Sequence, residues 1–221
     1  MADRKGKVML VDDHAVVRAG YRMLLEMQES YSVVSEVETG EAAIAAYPNT
    51  QPQVVIMDIN LPGCSGIEAT RKIMALDPKA KILIFSIHAE AIYLARAFEA
   101  GASGYLCKSS SPGQMIEAVD AIMRHGHYRD PNVPQVGAKN FESIQDPVRL
   151  LSAREFEIFQ LLGRGLASRE ISEALAVSPK TISNSLVIIK EKMAVGSTAE
   201  LVKIASRLAE EPLGQVSGIL P

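Results

Sequence analysis

The sequence predicts an α/β domain with a doubly wound parallel sheet, followed by a small all-helical domain. Residues 1–126 alternate short β-branched runs, roughly 25 residues apart, with helical patterns. Strands that alternate with helices form parallel crossovers, so helices are expected to cover both faces of the sheet. Residues 148–221 instead contain four short helical segments with helix-capping residues.

Each predicted strand is a short apolar run that is far too short to span a membrane. The five runs are KVMLVD (7–12), YSVVSEV (31–37), QVVIMD (53–58), KILIFS (81–86) and GYLCK (104–108). Helical patterns separate them at 14–28, about 41–47, 66–76, 89–100 and 112–125. Five such units predict a doubly wound, five-stranded parallel sheet of the flavodoxin-like type.

A segment without periodicity divides the chain. Residues 125–147 contain three prolines and two glycines and show no hydrophobic period, which is typical of a linker. The predicted boundaries are therefore 1–126 for the α/β domain, 127–147 for the linker and 148–221 for the helical domain.

Capping residues mark the helices of the second domain. Capping boxes are predicted at Ser152–Glu155 and Ser197–Glu200. Ser168 is expected to cap a helix over 169–176, and Ser178 is expected to cap one that begins at Pro179. Glycines at 165 and 196 are expected to end the first and third helices.

Composition narrows the function classes. The net charge of −3 argues against a generally basic nucleic-acid binder, and residues 148–221 carry nine Lys/Arg against eight Asp/Glu. Any DNA binding must therefore come from a local arrangement of side chains, helped by dimerisation. Two cysteines are too few for a disulfide framework and no secretory leader is evident, which favours a reducing cytosol and no membrane partner.

Charged residues collect at the carboxyl ends of the predicted strands, where parallel sheets place functional groups. Asp12 and Asp13 follow the first strand, Asp58 ends the third, and Lys108 closes the fifth. Three carboxylates at one sheet edge repel one another unless a hard cation such as Mg²⁺ lies among them. Helix capping is the alternative for Asp12 or Asp13, but it explains neither Asp58 nor Lys108.

Both halves of the chain resemble one protein family. The segments LVDDHAVVRAG, VVIMDINLPGCSGIEA and GASGYLCKSS resemble the receiver domain of bacterial two-component response regulators. The segment LSAREFEIFQLLGRGLASREISEALAVSPKTISN resembles the LuxR-type helix-turn-helix of the NarL/FixJ family. The resemblance covers nearly the whole chain, with the two domains in the expected order.

The resemblance implies a cytoplasmic bacterial regulator that a sensor histidine kinase phosphorylates on Asp58. Asp13, Asp58 and the backbone carbonyl of Asn60 would hold Mg²⁺, with Asp12 acting mostly through water. Lys108 would pair with a phosphoryl oxygen. The resemblance also implies that Ser86 and Tyr105 are the switch residues, and it suggests a cis peptide after Lys108.

Two further expectations concern chemistry. Phosphatases of the haloacid-dehalogenase type place a second Asp two residues beyond the nucleophile, but here that residue is Asn60, which cannot supply a proton. We therefore expect no enzyme activity beyond self-phosphorylation and slow autodephosphorylation. His14 follows the family's Asp-Asp-His run and is expected to be structural rather than a general base.

The helix predicted from Pro179 to about Ala194 is the recognition helix that the resemblance implies. Its apolar stripe would be buried and its other face would contact promoter DNA. The predicted DNA contacts are Lys180, Thr181, Ser183, Asn184, Val187 and Lys190. The apolar Val187 and Ile188 leave an alternative open, in which the domain acts in protein–protein contact or as an auxiliary regulator and does not bind DNA on its own.

The last predicted helix, about 198–210, is amphipathic. In the family this helix usually forms the contact of a homodimer, which we expect here when the protein is phosphorylated. It can equally close the core of its own domain, and periodicity does not separate the two.

Overall fold

The computed structural model describes residues 6–89, 91–133, 147–175 and 177–210. The chain falls into two compact units, residues 1–136 and residues 137–221. Within the described residues, no helix is both long and apolar enough to cross a bilayer.

The first unit is a parallel sheet with helices between successive strands, as the sequence predicts. Its strands are β1 (Gly6–Val11), β2 (Tyr31–Val37), β3 (Val54–Met57), β4 (Ile82–Ser86), β5 (Gly104–Cys107) and β6 (Tyr128–Arg129). Its helices are α1 (Ala15–Glu26), α2 (Gly40–Thr50), α3 (Gly66–Leu76), α4 (Ala91–Glu99) and α5 (Pro112–His125). The strand order is β2-β1-β3-β4-β5-β6, with every neighbouring pair parallel.

The sheet has six strands rather than the five that were predicted. The extra strand β6 lies at the start of the predicted linker, where Gly104 pairs with Tyr128 and Tyr105 with Arg129. A two-residue strand has too little sequence to show a period. The strand β6 forms because residues 128–129 pair with the edge of β5, a contact between segments that are distant in sequence.

The core explains why the strands read as continuous apolar runs. All residues of β3, β4 and β5 are buried, because helices cover both faces of the sheet. Below α1 and α5 the core contains Val8, Leu10, Leu25, Ile56, Leu83, Leu106, Met115 and Ile122.

The second unit contains a short 3₁₀ turn (Pro147–Leu150) and four helices. These are α6 (Ala153–Gly163), α7 (Ser168–Ala174), α8 (Pro179–Lys192) and α9 (Thr198–Glu210). The predicted stripe of α8 is buried, at Ile182, Leu186, Ile189 and Met193, and α8 packs on α6 and α7.

The α9 helix closes the core of its own unit. Leu201 and Ala205 are buried, and α9 packs on α6, where a Cβ on Gly163 would meet Ala205. The side chain of Leu208 lies outside the described residues. The described part of α9 therefore favours the second of the two roles considered for this helix.

The helix caps agree with the sequence except in three places. At α9, Ser197 accepts the Glu200 amide (3.2 Å), but Glu200 reaches back to the Gly196 amide (2.9 Å), so only half of the predicted box forms. Ser152 and Glu155 form the predicted capping box, and Ser178 caps α8 ahead of Pro179. The cap predicted at Ser168 is wrong, because Glu170 reaches back to the amide of Ala167 (2.7 Å) and α7 begins one residue earlier. The α8 helix ends before Gly196, since Ala194 already takes a left-handed φ of 52°.

Candidate functional site

The carboxyl ends of β1, β3 and β5 bring three charged groups together. Lys108 Nζ lies 2.6 Å from Asp12 Oδ2 and 2.6 Å from Asp58 Oδ2. The backbone fixes these positions, because the Asp58 amide donates to Val11 (2.8 Å) and the Lys108 amide donates to Ser86 (2.7 Å). One ammonium group is therefore shared by two buried carboxylates, and Asp58 is only 3% exposed.

The acid cluster is larger than this pair. One ligand atom from each of Asp12, Asp13, His14 and Asp58 lies within 4.8 Å of the others. Carboxylate oxygens are hard ligands, so this donor set suits Mg²⁺. The Asp13 side chain is partly open to solvent, whereas Asp12 and Asp58 are buried. The sequence predicted Asp12, Asp13 and Asp58 at one edge, and the structure brings them together.

His14 contacts both of the acids that precede it. It is the N-cap residue of α1. Its amide donates to Asp12 Oδ1 (2.8 Å) and its ring Nδ1 lies 2.7 Å from Asp13 Oδ1. These contacts orient both carboxylates at the start of the helix.

The loop between β3 and α3 is held tightly around Asp58. A Cβ on Gly66 would overlap the backbone carbonyl oxygen of Asp58, so only glycine allows this approach. Gly63 has a φ of +76°, and the Cys64 amide donates to Glu41 Oε1 of α2 (2.9 Å). The Asn60 amide lies 3.3 Å from Asp58 Oδ1, which places Asn60 beside the cluster.

The electrostatic balance at Asp58 is unfavourable to its charge. Burial raises the pKa of Asp58 above the ordinary aspartate value, Lys108 lowers it only in part, and Asp12 raises it further. Burial also works against the charge on Lys108, but the two carboxylates outweigh it and hold the pKa of Lys108 above its ordinary value. The single Lys108 ammonium group is thus shared by two buried carboxylates, Asp12 and Asp58, and cannot balance both.

The two predicted switch residues are both buried. Ser86 lies at the end of β4 and its hydroxyl accepts the amide of His88 (3.3 Å). Tyr105 of β5 is fully buried, and its hydroxyl donates to the carbonyl of His88 (2.7 Å). Tyr105 therefore points inward in this structure, and the loop after β4 connects it with Ser86.

Two residues that the sequence did not single out contact the site. The His88 ring stacks on Tyr93 with centroids 3.9 Å apart, and its Nε2 lies 3.1 Å from the side-chain nitrogen of Asn60. Asp130 follows β6 and binds the turn that carries Lys108. His88 had a signal, since it lies two residues beyond a strand end, but Asp130 lies in a segment without any period.

The peptide bond between Lys108 and Ser109 is trans, because the described residues contain no cis peptide. The cis form suggested by the resemblance is therefore wrong here. Serine lacks the tertiary amide through which proline lowers the cost of a cis bond.

The predicted DNA contacts lie along one side of α8. Lys180, Thr181, Ser183, Asn184 and Val187 are exposed, and Lys190 is half-buried. Two of the hydroxyls have partners within the helix: Ser183 donates to the Pro179 carbonyl (3.0 Å), and Thr181 Oγ1 lies 2.8 Å from Ser178 Oγ. Val187 and Ile188 are 50% and 42% exposed, so the outer face is as apolar as the sequence indicates.

Comparisons with known proteins match both units. Residues 8–120 match the response regulator receiver domain, and residues 149–205 match the bacterial regulatory proteins of the luxR family. The oxygen regulatory protein NreC of Staphylococcus carnosus is 38% identical over 90% of this chain and 96% of its own length. The matched relatives are regulators rather than enzymes of the usual kind.

Two solved structures are also similar. A LuxR-family two-component response regulator from Aurantimonas shares 44% identity over 63% of this chain and 99% of its own, with a TM-score of 0.58. RcsB of Salmonella typhimurium shares 26% identity over 92% of this chain and 98% of its own, with a TM-score of 0.61. These similarities favour the DNA-binding regulator over the alternative of a protein-contact switch. The chain belongs to the NarL/FixJ family of two-component response regulators and is a transcriptional regulator with a receiver domain and a LuxR-type DNA-binding domain.

Proposed function

We propose that Asp58 is the phosphoacceptor of this regulator and that a sensor histidine kinase is the donor. One Asp58 carboxylate oxygen attacks the phosphorus of a phosphohistidine, the P–N bond breaks, and its electron pair stays on the imidazole nitrogen. The proposal rests on the buried Asp58 carboxylate, whose Oδ2 lies 2.6 Å from Lys108 Nζ. Both residues lie at the sheet edge formed by the carboxyl ends of β1, β3 and β5. Lys108 then pairs with a phosphoryl oxygen instead.

The site includes a magnesium ion in this proposal. Asp12, Asp13, Asp58 and the backbone carbonyl of Asn60 would hold it, and the support is the set of hard oxygen ligands gathered within 4.8 Å. A bound Mg²⁺ neutralises charge on the phosphoryl oxygens. Asn60 offers no acid two residues beyond Asp58, so the chemistry is limited to self-phosphorylation and slow autodephosphorylation.

The switch in this proposal is the loop after β4. A phosphoryl group on Asp58 supplies acceptor oxygens toward which Ser86 can turn its hydroxyl. Such a turn frees the His88 amide from Ser86 Oγ, and His88 also accepts the Tyr105 hydroxyl. Movement at Ser86 is therefore transmitted to Tyr105 through the backbone of His88. The occupied state then promotes a homodimer and binding to promoter DNA in the bacterial cytoplasm.

The test of the phosphoacceptor uses the full chain, a small acyl phosphate as donor, and Mg²⁺. Wild type and Asp120→Asn, a control on α5, are expected to take up one phosphoryl group each. Asp58→Asn is expected to take up none, because the nucleophilic oxygen is gone. Equal labelling of Asp58→Asn and wild type rejects the assignment.

The output in this proposal is DNA binding by α8, with Asn184 at an adenine edge and Val187 against a thymine methyl group. Support comes from the exposed position of both side chains on the helix that the luxR-family match covers. Lys180, Thr181 and Lys190 would contact phosphates, and Ser183 lies on the same face. Asn184→Ala is expected to weaken binding to the selected operator by about 1–3 kcal/mol and to relax the preference at one base pair. Selection from a random duplex library reads out that preference, and an unchanged preference rejects this role for Asn184.

A further inference from the structure

Asp130 is a buried carboxylate that the proposed phosphorylation chemistry does not use. It follows β6 directly and has no exposed surface. Its Oδ2 accepts the amide of Cys107 (3.1 Å) and the hydroxyl of Ser110, and its Oδ1 accepts the amide (2.9 Å) and the side-chain nitrogen (3.0 Å) of Asn132. A buried carboxylate is costly unless it is hydrogen-bonded, and here four donors satisfy it.

One oxygen of Asp130 holds the turn that carries Lys108. Cys107 and Ser110 are the two ends of this turn, and the Ser110 amide also donates to the Cys107 carbonyl (3.0 Å). Lys108 lies between them and reaches Asp12 and Asp58 from the other side of the turn. Asp130 therefore holds the residues on either side of Lys108, and the acid cluster holds its ammonium group.

The other oxygen of Asp130 holds the start of the segment that leads to the helical unit. Besides the two bonds from Asn132, the Val133 amide donates to the Asp130 carbonyl (3.2 Å), and the Asp130 amide donates to Tyr105 (3.0 Å). A single carboxylate thus bonds both to the phosphate-facing turn and to the residues that follow β6.

The hydrogen bonds keep Asp130 charged. Burial opposes its ionised form, but the donors from Ser110, Asn132 and Cys107 outweigh burial and hold the pKa of Asp130 below its ordinary value. Hydrogen bonds to a charged acceptor are stronger than those between neutral groups. The charged Asp130 therefore holds the turn 107–110 and Asn132 more firmly than a neutral side chain would.

We infer that Asp130 is a positioning residue that couples the Lys108 turn to residues 130–133, so that occupancy of Asp58 is transmitted to the start of the interdomain segment. When Lys108 turns from the carboxylates to a phosphoryl oxygen, the turn 107–110 moves, and Asp130 moves with it. This inference rests on the proposed function, because the movement begins at a phosphoryl group on Asp58.

The test follows backbone amide NMR signals of the full chain on addition of Mg²⁺ and beryllium trifluoride, which mimics a phosphoryl group. In wild type the amides of Lys108, Asn132 and Val133 are all expected to shift. Asp130→Asn keeps the size of the side chain but replaces an acceptor by a donor, so the Lys108 shift persists while the shifts of Asn132 and Val133 are lost. Glu29→Gln, which changes an exposed acid of the same unit, is the control and should respond as wild type does.

If Asp130→Asn unfolds, a second variant still tests the coupling. Ser110→Ala removes one donor, leaves the charge in place, and is expected to reduce the Asn132 shift. If Asp130→Asn does fold, Ser110→Ala should add nothing further in that background, because the two side chains act through the hydrogen bond between them. These readouts follow a response to the ligand, which a change in stability alone does not alter.

Each failure has a distinct meaning. If Lys108 shifts in wild type but Asn132 and Val133 do not, or if both shift equally in the variants, the coupling through Asp130 is wrong and the phosphoacceptor proposal stands. If the Lys108 amide does not respond in wild type, the proposed function fails and this inference fails with it.

Discussion

At the residue scale, the central feature is an unequal count of charges. Asp12 and Asp58 are buried, and Lys108 alone bridges them at 2.6 Å to each. A buried carboxylate beside a second carboxylate is held in a less stable state than it would have in water. In the proposed function, a magnesium ion would supply the missing positive charge and a phosphoryl group on Asp58 would take Lys108 from the carboxylates.

The first prediction concerns the stability of Asp58→Asn. The folded-state pKa of Asp58 lies above its unfolded value. Its contribution to stability is therefore fully present below the unfolded pKa of about 3.9 and is lost as pH rises through the folded pKa. At pH 7 the ionised group is a net cost. Asp58→Asn should raise the free energy of unfolding by about 1–3 kcal/mol.

Urea unfolding with a chelator present measures this difference. The gap between variant and wild type should narrow as pH falls toward the ordinary aspartate pKa, because wild-type Asp58 becomes neutral there. A variant less stable than wild type at pH 7 contradicts the charge balance described above.

The second prediction concerns Lys108→Met. Removal of the shared ammonium leaves two buried carboxylates without a partner, which should cost about 3–5 kcal/mol in the absence of metal. Added Mg²⁺ should recover more stability in this variant than in wild type, since the cation replaces the missing charge. Lys72→Met removes an exposed surface pair with Glu68 and is the matched control, for which little change is expected. Equal Mg²⁺ responses in all three proteins would argue against metal binding in the pocket.

At the scale of elements, the loop from β3 to α3 shows how backbone geometry serves the site. Gly66 lets the start of α3 approach the carbonyl of Asp58, and Ser65 caps that helix by accepting the Glu68 amide (3.3 Å). The Gly66 amide also donates to the Ile59 carbonyl (3.0 Å). The loop can therefore place Asp58 only when residue 66 has no side chain.

The third prediction follows from this contact. Gly66→Ala should destabilise the receiver by about 2–3 kcal/mol or more, because the added methyl overlaps backbone that cannot move aside easily. Gly20→Ala on the exposed face of α1, where a Cβ meets nothing within 4 Å, should instead gain about 0.5–1 kcal/mol. Thermal and urea unfolding of the two variants measure the contrast. A tolerated Gly66→Ala would contradict the close approach.

The elements also show what sequence could and could not predict. Long amphipathic helices have a strong period and buried strands are continuous apolar runs, so α3 and α5 begin and end where the sequence placed them, and Asp58 and Lys108 lie at strand ends as expected. The strand β6 depends on pairing with β5, which is distant in sequence. The start of α7 depends on the bond from the Ala167 amide to Glu170, whereas the sequence suggested Ser168 as the cap. Asp130 acts through contacts with a distant segment, which no local pattern contains, whereas His88 had a local signal in its place two residues beyond a strand end.

At the scale of the whole molecule, the charge distribution sets the conditions for DNA binding. The net charge is −3, and residues 148–221 carry only one more basic than acidic residue. In the proposed function, affinity would therefore come from a few lysines on α8 and from the two helical units of a dimer, which together bind more tightly than one unit.

The fourth prediction tests this point. For the phosphorylated protein, the logarithm of DNA affinity should fall linearly with the logarithm of salt concentration. In the proposed homodimer Lys180→Ala removes one phosphate contact from each subunit, so it should reduce that slope by about 2 and weaken binding to all sequences alike. Lys79→Ala, an exposed lysine of the receiver, is the control and should leave the slope unchanged. A slope that is the same for Lys180→Ala as for wild type removes Lys180 from the DNA contacts.

The attachment site of the phosphoryl group tests the phosphoacceptor most directly. After incubation with an acyl phosphate and Mg²⁺, borohydride reduction converts a phosphorylated aspartate into homoserine, which peptide mass spectrometry can locate. The account predicts homoserine at position 58 alone. Homoserine at position 12 or 13, or at no aspartate while the protein is labelled, would contradict it.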